Sequence, residues 1–349
     1  MTAEIAEQPA MLLRLAAQAG DHIAQVSAAI AARRPRFVLL AARGTSDHAA
    51  LYAKYLIEIR LGLPAGLVSP SSMTVYGARP DLRDVLFIAV SQSGGSPDLI
   101  DSLAAARDCG ALTVAVTNDP ASALAAAAEF AVDIQAGPEL AVAATKSYTA
   151  ELLALYLLLA PLGAGAPVAG ALTDQVALLG QAAEATLAQR AAVQAVASRY
   201  RFADRLITTA RGFGYPTARE AALKLMETCY LGAQAFSGAD LLHGPMAMID
   251  TDLPVLAILT PGAGGAAMRP VLERLRHRQA DLVVVGGPPD TEHPVDPDRL
   301  LPVVTTGLAE ELFPIVEILP LQQLACELAL QRGGDPDAPR GLSKLTQTW

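Results

Sequence analysis

Six apolar runs rich in Val, Ile, Leu and Ala punctuate the chain: FVLLAA at 37–42, VLFIAV at 85–90, LTVAVT at 112–117, RLITTA at 205–210, VLAIL at 255–259 and LVVVGG at 282–287. Ala-rich stretches with apolar residues near helical spacing separate them. Continuous apolar runs, as opposed to alternating ones, mark strands buried on both faces. The pattern therefore predicts an α/β fold in which parallel sheets are covered by helices.

The runs repeat in order. The first is followed by Arg43-Gly44 and a helical stretch, the fourth by Arg211-Gly212 and another, an offset of 168. VLFIAVSQSGG and VLAILTPGAGG superpose at an offset of 170, which brings Gly94-Gly95 onto Gly264-Gly265. Two matches at nearly one offset predict a duplicated doubly wound unit, each copy a three-layer sandwich. The boundaries that follow are a helical leader over 1–34, a first unit over 35–160, a connecting helical segment over 161–200 and a second unit over 201–349. The second unit ends in the tail GDPDAPRGLSKLTQTW. From Leu152 to Thr173 the chain carries no charge and is long enough to cross a bilayer. Pro161, Gly163, Gly165, Pro167 and Gly170 interrupt it, so the expectation is a buried helix ending near Ala160 and then a loop.

Composition narrows the class. Apolar residues make up 52% and charged residues 17%, with mean hydropathy +0.34, which excludes a disordered chain. A formal charge of −9 and a pI near 5.1 exclude a basic nucleic-acid footprint. Cys109, Cys229 and Cys326 are odd in number and widely spaced, which gives no disulfide framework and no zinc site. The acidic start MTAEIAEQPA lacks a secretion signal's basic region. A cytoplasmic protein with no membrane and no nucleic-acid partner is the expectation.

The first candidate for chemistry is SQSGGSPD, residues 91–98, between the VLFIAV strand and a helix starting near Leu99. A strand-to-helix turn crowded with glycines and hydroxyls offers backbone N–H groups, side-chain donors and a helix dipole to an anion. Ser91, Gln92, Ser93 and Ser96 supply the donors, and Gly94 and Gly95 let the backbone approach. The competing reading is a helix N-cap, for which one serine suffices. In the second copy Pro261 to Gly265 keep the glycines and lose the hydroxyls, so an anion is expected in the first copy alone. Thr45 and Ser46 open the first helix in RGTSDHAA, on the same carboxyl edge of the sheet.

The second half offers Glu220, Lys224 and Glu227, which share one face of a helix at i, i+4 and i+7. Spacing alone favours a solvated ladder. His243 in LLHGPMAMI precedes Gly-Pro, as in a loop, and the remaining histidines have no metal-type spacing. No metal or cofactor is expected.

Many of these motifs occur together in one family. EQP near the start, RGTS, SQSG, ELAVAATKSYT, EAALKLMET, HGPMAMID, PLQQLA and PRGLSK stand in order and cover nearly the whole chain. The chain resembles the tandem sugar isomerase (SIS) family, in particular the isomerase half of the glucosamine-6-phosphate synthases. The resemblance implies that Ser46, Ser91, Gln92, Ser93 and Ser96 grip a sugar phosphate, and that Thr45, Val142 and Ser343 line the sugar. It implies Glu227 as the proton-transfer carboxylate, His243 as the ring-opening group, Lys344 as the imine-forming amine and Lys224 as an aid at the C2 oxygen. It also implies a homodimer, with His243 reaching a neighbouring subunit, and a tail folded back over the first unit's pocket. The residue types suit the chemistry: a carboxylate can shuttle a proton between C1 and C2, and histidine titrates near neutrality.

Two details depart from the synthases. The anion turn continues Gly95-Ser96-Pro97-Asp98 where the synthase has Glu-Thr, and the tail ends LSKLTQTW in place of a valine-rich end. With only a short leader ahead of the first unit, the expectation is that glutamine is not the nitrogen source. Both departures resemble stand-alone SIS-type glucosamine-6-phosphate deaminases, which form fructose 6-phosphate and ammonia. The alternatives are the isomerase half of a synthase-like aminotransferase, an isomerase or deaminase for another amino-sugar or ketose phosphate, and a non-catalytic sugar-phosphate sensor. A sensor needs the serine turn but has no need of Glu227, His243 and Lys344 together.

Overall fold

The computed structural model describes residues 1–163, 169–286 and 296–344. Its chain forms two compact units, each built on a five-stranded, all-parallel sheet. The first comprises Ala10–Glu139 and Lys146–Val176, together with Ser343 and Lys344 from the tail. The second comprises Met1–Pro9, Leu140–Thr145 and Ala177–Leu342. The leader is one helix, α1 (Thr2–Arg33), whose first turns belong to the second unit and whose remainder belongs to the first.

In the first unit the strands are β1 (Phe37–Ala41), β2 (Ala65–Leu67), β3 (Val85–Ser91), β4 (Leu112–Thr117) and β5 (Phe130–Asp133), in the order β2-β1-β3-β4-β5. The helices are α2 (Thr45–Leu56), α3 (Pro70–Thr74), α4 (Pro97–Asp108), α5 (Ala123–Ala127) and α6 (Lys146–Leu159). Phe87 and Ala89 of β3 pack with Leu99, Leu103 and Ala106 of α4 and with Met73 and Leu124 on one face of the sheet. Helices α2 and α6 pack on each other and on the sheet.

Helix α7 (Ala169–Leu187) begins in the first unit and continues into the second from Ala177, where α8 (Arg190–Tyr200) precedes β6 (Arg205–Ala210), α9 (Gly214–Cys229), β7 (Gly232–Ser237) and α10 (Gly238–Leu242). Then follow β8 (Pro254–Leu259), α11 (Ala263–His277), β9 (Asp281–Gly286), β10 (Leu300–Pro302) and α12 (Phe313–Gln331). The strand order β10-β9-β8-β6-β7 repeats that of the first sheet, strand for strand, so the repeat in the sequence is a repeat of topology. Met268, Val271, Leu272 and Leu275 of α11 bury Ile207, Val255, Ala257, Leu282 and Val284.

Each apolar run coincides with a strand to within a residue, apart from Gly287, which lies outside the described residues. The expected single connecting helix is two: the chain breaks after Leu187, where the Thr186 hydroxyl accepts a hydrogen bond from Val304 N–H. The uncharged stretch from Leu152 starts as the buried second half of α6, which ends at Leu159; residues 164–168 of the expected loop lie outside the described residues, and from Ala169 the stretch is helical again in the next helix. The segment Glu310–Gln331 is long and apolar enough to cross a membrane, but 89% of its apolar 18-residue window is buried, as in a core helix. Among the described residues no cluster of three metal-ligating side chains forms, and the three cysteines are free.

Candidate functional site

In a sheet of order 2-1-3-4-5 the chain leaves β1 in one direction and β3 in the other, so a crevice forms beyond the carboxyl ends of these strands. In the first unit the residues at that place are Arg43 to Ser46 after β1 and Ser91 to Ser96 after β3. The exposed Arg43 guanidinium ties the two segments together, donating to the buried Asp98 carboxylate of α4 at 2.7 and 2.8 Å.

The serine turn folds on itself. Gly94 N–H donates to Ser91 Oγ at 3.2 Å and Gly95 N–H to Ser93 Oγ at 3.3 Å, while the Gln92 carbonyl accepts Asn118 N–H. Gly94 sits at φ 60, and a Cβ there would lie 2.2 Å from Ser122 Oγ, so only glycine fits. Ser96 occupies the N-cap position of α4 in extended conformation, yet its side chain makes no capping bond among the described residues. As an N-cap, Ser96 therefore contributes position but no side-chain capping bond. Thr45 opens α2. Ser46 is buried and gives its one hydroxyl proton to Glu151 Oε1 at 2.7 Å, so it presents an acceptor to any further partner.

The matching turn of the second unit already holds an anion from its own chain. The Glu310 carboxylate accepts Ala263 N–H at 3.1 Å and Gly264 N–H at 2.9 Å, at the start of α11. A Cβ on Gly262 would lie 2.4 Å from the Glu310 carboxyl carbon, so the glycine makes room for the carboxylate. This explains physically why the turn keeps its glycines without its hydroxyls. Beside it, Arg211, Phe213, Thr260, Glu310 and Glu317 line a small cleft. Glu317 accepts hydrogen bonds from Thr260 at 2.6 Å and Thr217 at 3.0 Å. Burial pushes its carboxyl up to about 7, against the pull of the two hydroxyls and with a further push from Glu310.

A carboxyl raised above its unfolded value of 4.5 stabilises the fold most at low pH, and that contribution is lost as pH rises through about 7. The loss amounts to about 3 kcal/mol. Glu317→Gln is therefore expected to raise the melting temperature at about pH 8 and to change it little at about pH 4; equal effects at both pH values would contradict this.

On α9 the Glu220–Lys224–Glu227 stripe is not a solvated ladder. The side chains of Lys224 and Glu220 are fully buried and that of Glu227 is 23% exposed. Lys224 Nζ lies 2.5 Å from Glu227 Oε2 and 3.4 Å from Glu220 Oε1. His243 follows α10 and is exposed, with Leu242 and Met248 exposed near it in sequence. Val142 belongs to the second unit, where its N–H donates to the Asp337 carbonyl at 3.1 Å.

The tail divides. Arg340 N–H donates to the Tyr230 hydroxyl and its guanidinium lies over that ring, within the second unit. Ser343 and Lys344 belong to the first unit, and Lys344 Nζ lies 2.9 Å from Glu139 Oε2. Leu345 to Trp349 lie outside the described residues. Sequence reasoning gave Glu139, Asp98, Glu310 and Glu317 no role. For Glu139 a signal existed, since it is the one charge between Asp133 and Lys146.

Comparison with known proteins decides the family. SIS domains match residues 33–161 and 200–330, which coincide with the two sheets. The chain belongs to the SIS domain family. A glutamine–fructose-6-phosphate aminotransferase (isomerizing) of Gloeobacter violaceus is 35% identical over 99% of the chain. The chain spans 58% of that protein's length and 51% of a similar one's, so it corresponds to a part of these SIS relatives. A solved structure described as a candidate phosphosugar isomerase, from Silicibacter pomeroyi, is 34% identical with a TM-score of 0.85 over 96% of this chain and 98% of its own. A glucosamine-6-phosphate deaminase from Thermotoga maritima shares the fold, with a TM-score of 0.79 over 99% of both chains at 20% identity.

Proposed function

We propose that this SIS protein is a phosphosugar isomerase acting on an amino-sugar phosphate, which converts glucosamine 6-phosphate and water to fructose 6-phosphate and ammonia. One observation carries the reading: of two equivalent turns, the second is filled by Glu310 and the first keeps its hydroxyls at a helix N-terminus, as a phosphate-bearing ligand requires. The names of the relatives and the paired carboxylates around Lys224 support an aldose–ketose reaction in place of mere sensing.

In this reading Ser91, Gln92, Ser93, Ser96 and backbone N–H groups hold the phosphate, Ser46 attends as an acceptor, and Thr45, Val142 and Ser343 line the sugar. His243 opens the ring and is contributed to a neighbouring subunit of a homodimer, for which an exposed loop position with exposed Leu242 and Met248 is suited. Glu227 takes the C2 proton and returns it at C1, with Lys224 at the C2 substituent. The product of that shift carries nitrogen at C2. Lys344 attacks C2 and displaces ammonia, and water then hydrolyses the lysine imine to release the ketose. No cofactor takes part, and a cytoplasmic setting fits the free cysteines.

Phosphate contacts chiefly hold substrate in place. Ser93→Ala is therefore expected to raise KM by about tenfold with kcat within about twofold. A large fall in kcat at unchanged KM would contradict that assignment. A second reading, formation of glucosamine 6-phosphate in the synthase direction, is favoured by the relatives' names. Assays in both directions, with free ammonia as nitrogen donor, separate the two.

A further inference from the structure

Glu139 ends the segment after β5 and stands ahead of α6, with its side chain fully buried. Both of its oxygens are fixed from α6: Ser147 N–H donates to Oε1 at 3.0 Å and the Ser147 hydroxyl to Oε2 at 2.7 Å. That geometry satisfies a helix-capping carboxylate, which the positive end of α6 also favours. Yet Oε2 takes one more partner, the Lys344 ammonium, from 205 residues away in sequence. Lys344 itself is 28% exposed. A rigid, buried carboxylate thus seats a partly open amine at the end of the tail.

We infer that Glu139 is the positioning residue for Lys344: it holds the ammonium at the first unit and receives the proton that must leave before the amine can attack a carbonyl. The inference deepens the proposed function and rests on its imine step. In that step an N–H bond of the ammonium breaks and the proton passes to Glu139 Oε2, leaving a neutral amine and a carboxylic acid. The amine lone pair forms a C–N bond to C2 of the ketose imine left by the proton shift, and the resulting gem-diamine expels ammonia to give the lysine imine. Water adds to that imine, the carbinolamine releases the ketose, and Glu139 returns the proton to the lysine. From added fructose 6-phosphate the last steps run backwards: the carbinolamine forms and loses water, which gives the same lysine imine. No oxidant or other co-reactant enters. The backbone N–H of Ser147, on Oε1, keeps the carboxylate in register while Lys344 is away from Oε2, which a flexible surface partner could not do.

Borohydride trapping tests this. The full chain is mixed with fructose 6-phosphate and borohydride, and the reduced adduct at Lys344 is followed by mass spectrometry alongside kcat and KM. Glu139→Gln keeps an oxygen for Ser147 N–H but cannot take a proton. It is expected to slow both trapping and kcat by about 100-fold, with KM within about threefold. Ser147→Ala, which removes only the shared hydroxyl, is expected to trap within about threefold of the parent. A folded Glu139→Gln protein that traps at the parental rate, or a Ser147→Ala protein slowed as much as Glu139→Gln, would overturn the role and leave a capping carboxylate. If Glu139→Gln does not fold, Glu139→Asp is read instead: slowed trapping at preserved KM supports the role, and parental trapping overturns it. Absence of any adduct in the parent would instead remove the imine step itself, and this inference with it.

Discussion

Glu227→Gln is expected to lower kcat by about 10²–10⁴-fold while the protein stays folded. The size of the effect follows from the role, since a positioned carboxylate that carries the C2 proton has no substitute in an amide. Folding should survive because Lys224 keeps its second partner, Glu220, at 3.4 Å. Lys224→Ala makes the contrast. Removing the one cation leaves the fully buried Glu220 without it, and losing one member of a buried ion pair costs about 3–5 kcal/mol. Melting curves and steady-state rates on the two variants therefore separate catalysis from stability. A nearly active Glu227→Gln protein would reduce the stripe to a structural ion-pair cluster.

At Lys344 the two possible roles predict different damage. Lysine can lose its proton and form an imine, whereas a guanidinium stays protonated and cannot attack a carbonyl. Arginine could still pair with the Glu139 carboxylate, so it preserves the electrostatic role alone. The proposed chemistry requires Lys344→Arg to be as inactive as Lys344→Ala, each down by about 10³-fold or more in kcat. Partial rescue by arginine would show that the residue supplies charge only.

The central strands could be read from the sequence because they are buried on both faces, which forces continuous apolar runs. Edge strands escape that pressure. In β2 the three residues Ala65–Leu67 are only partly buried, and β7, GAQAFS, has no β-branched residue, so neither left a pattern to read. The turn at 91–96 was legible through its hydroxyls and glycines, and its twin through glycines kept without hydroxyls. What fills the twin was not, because Glu310 lies 46 residues beyond Gly264 and only the fold brings them together. Likewise the spacing of Glu220, Lys224 and Glu227 fixes a common helix face but not which way it points. That depends on how α9 packs against the sheet and α12. The resemblance picked out Lys344, while the carboxylate beneath it, Glu139, needed the structure.

The most direct test of the account is ammonia release. The purified chain is incubated with glucosamine 6-phosphate in the absence of glutamine, with galactosamine 6-phosphate and other amino-sugar phosphates in parallel, and ammonia and ketose phosphate are quantified together. The account predicts equimolar ammonia and fructose 6-phosphate from glucosamine 6-phosphate, at a rate lowered by about 10²–10⁴-fold in Glu227→Gln. No ammonia from any of the amino-sugar phosphates would contradict it and would leave the serine turn as the binding site of a sensor.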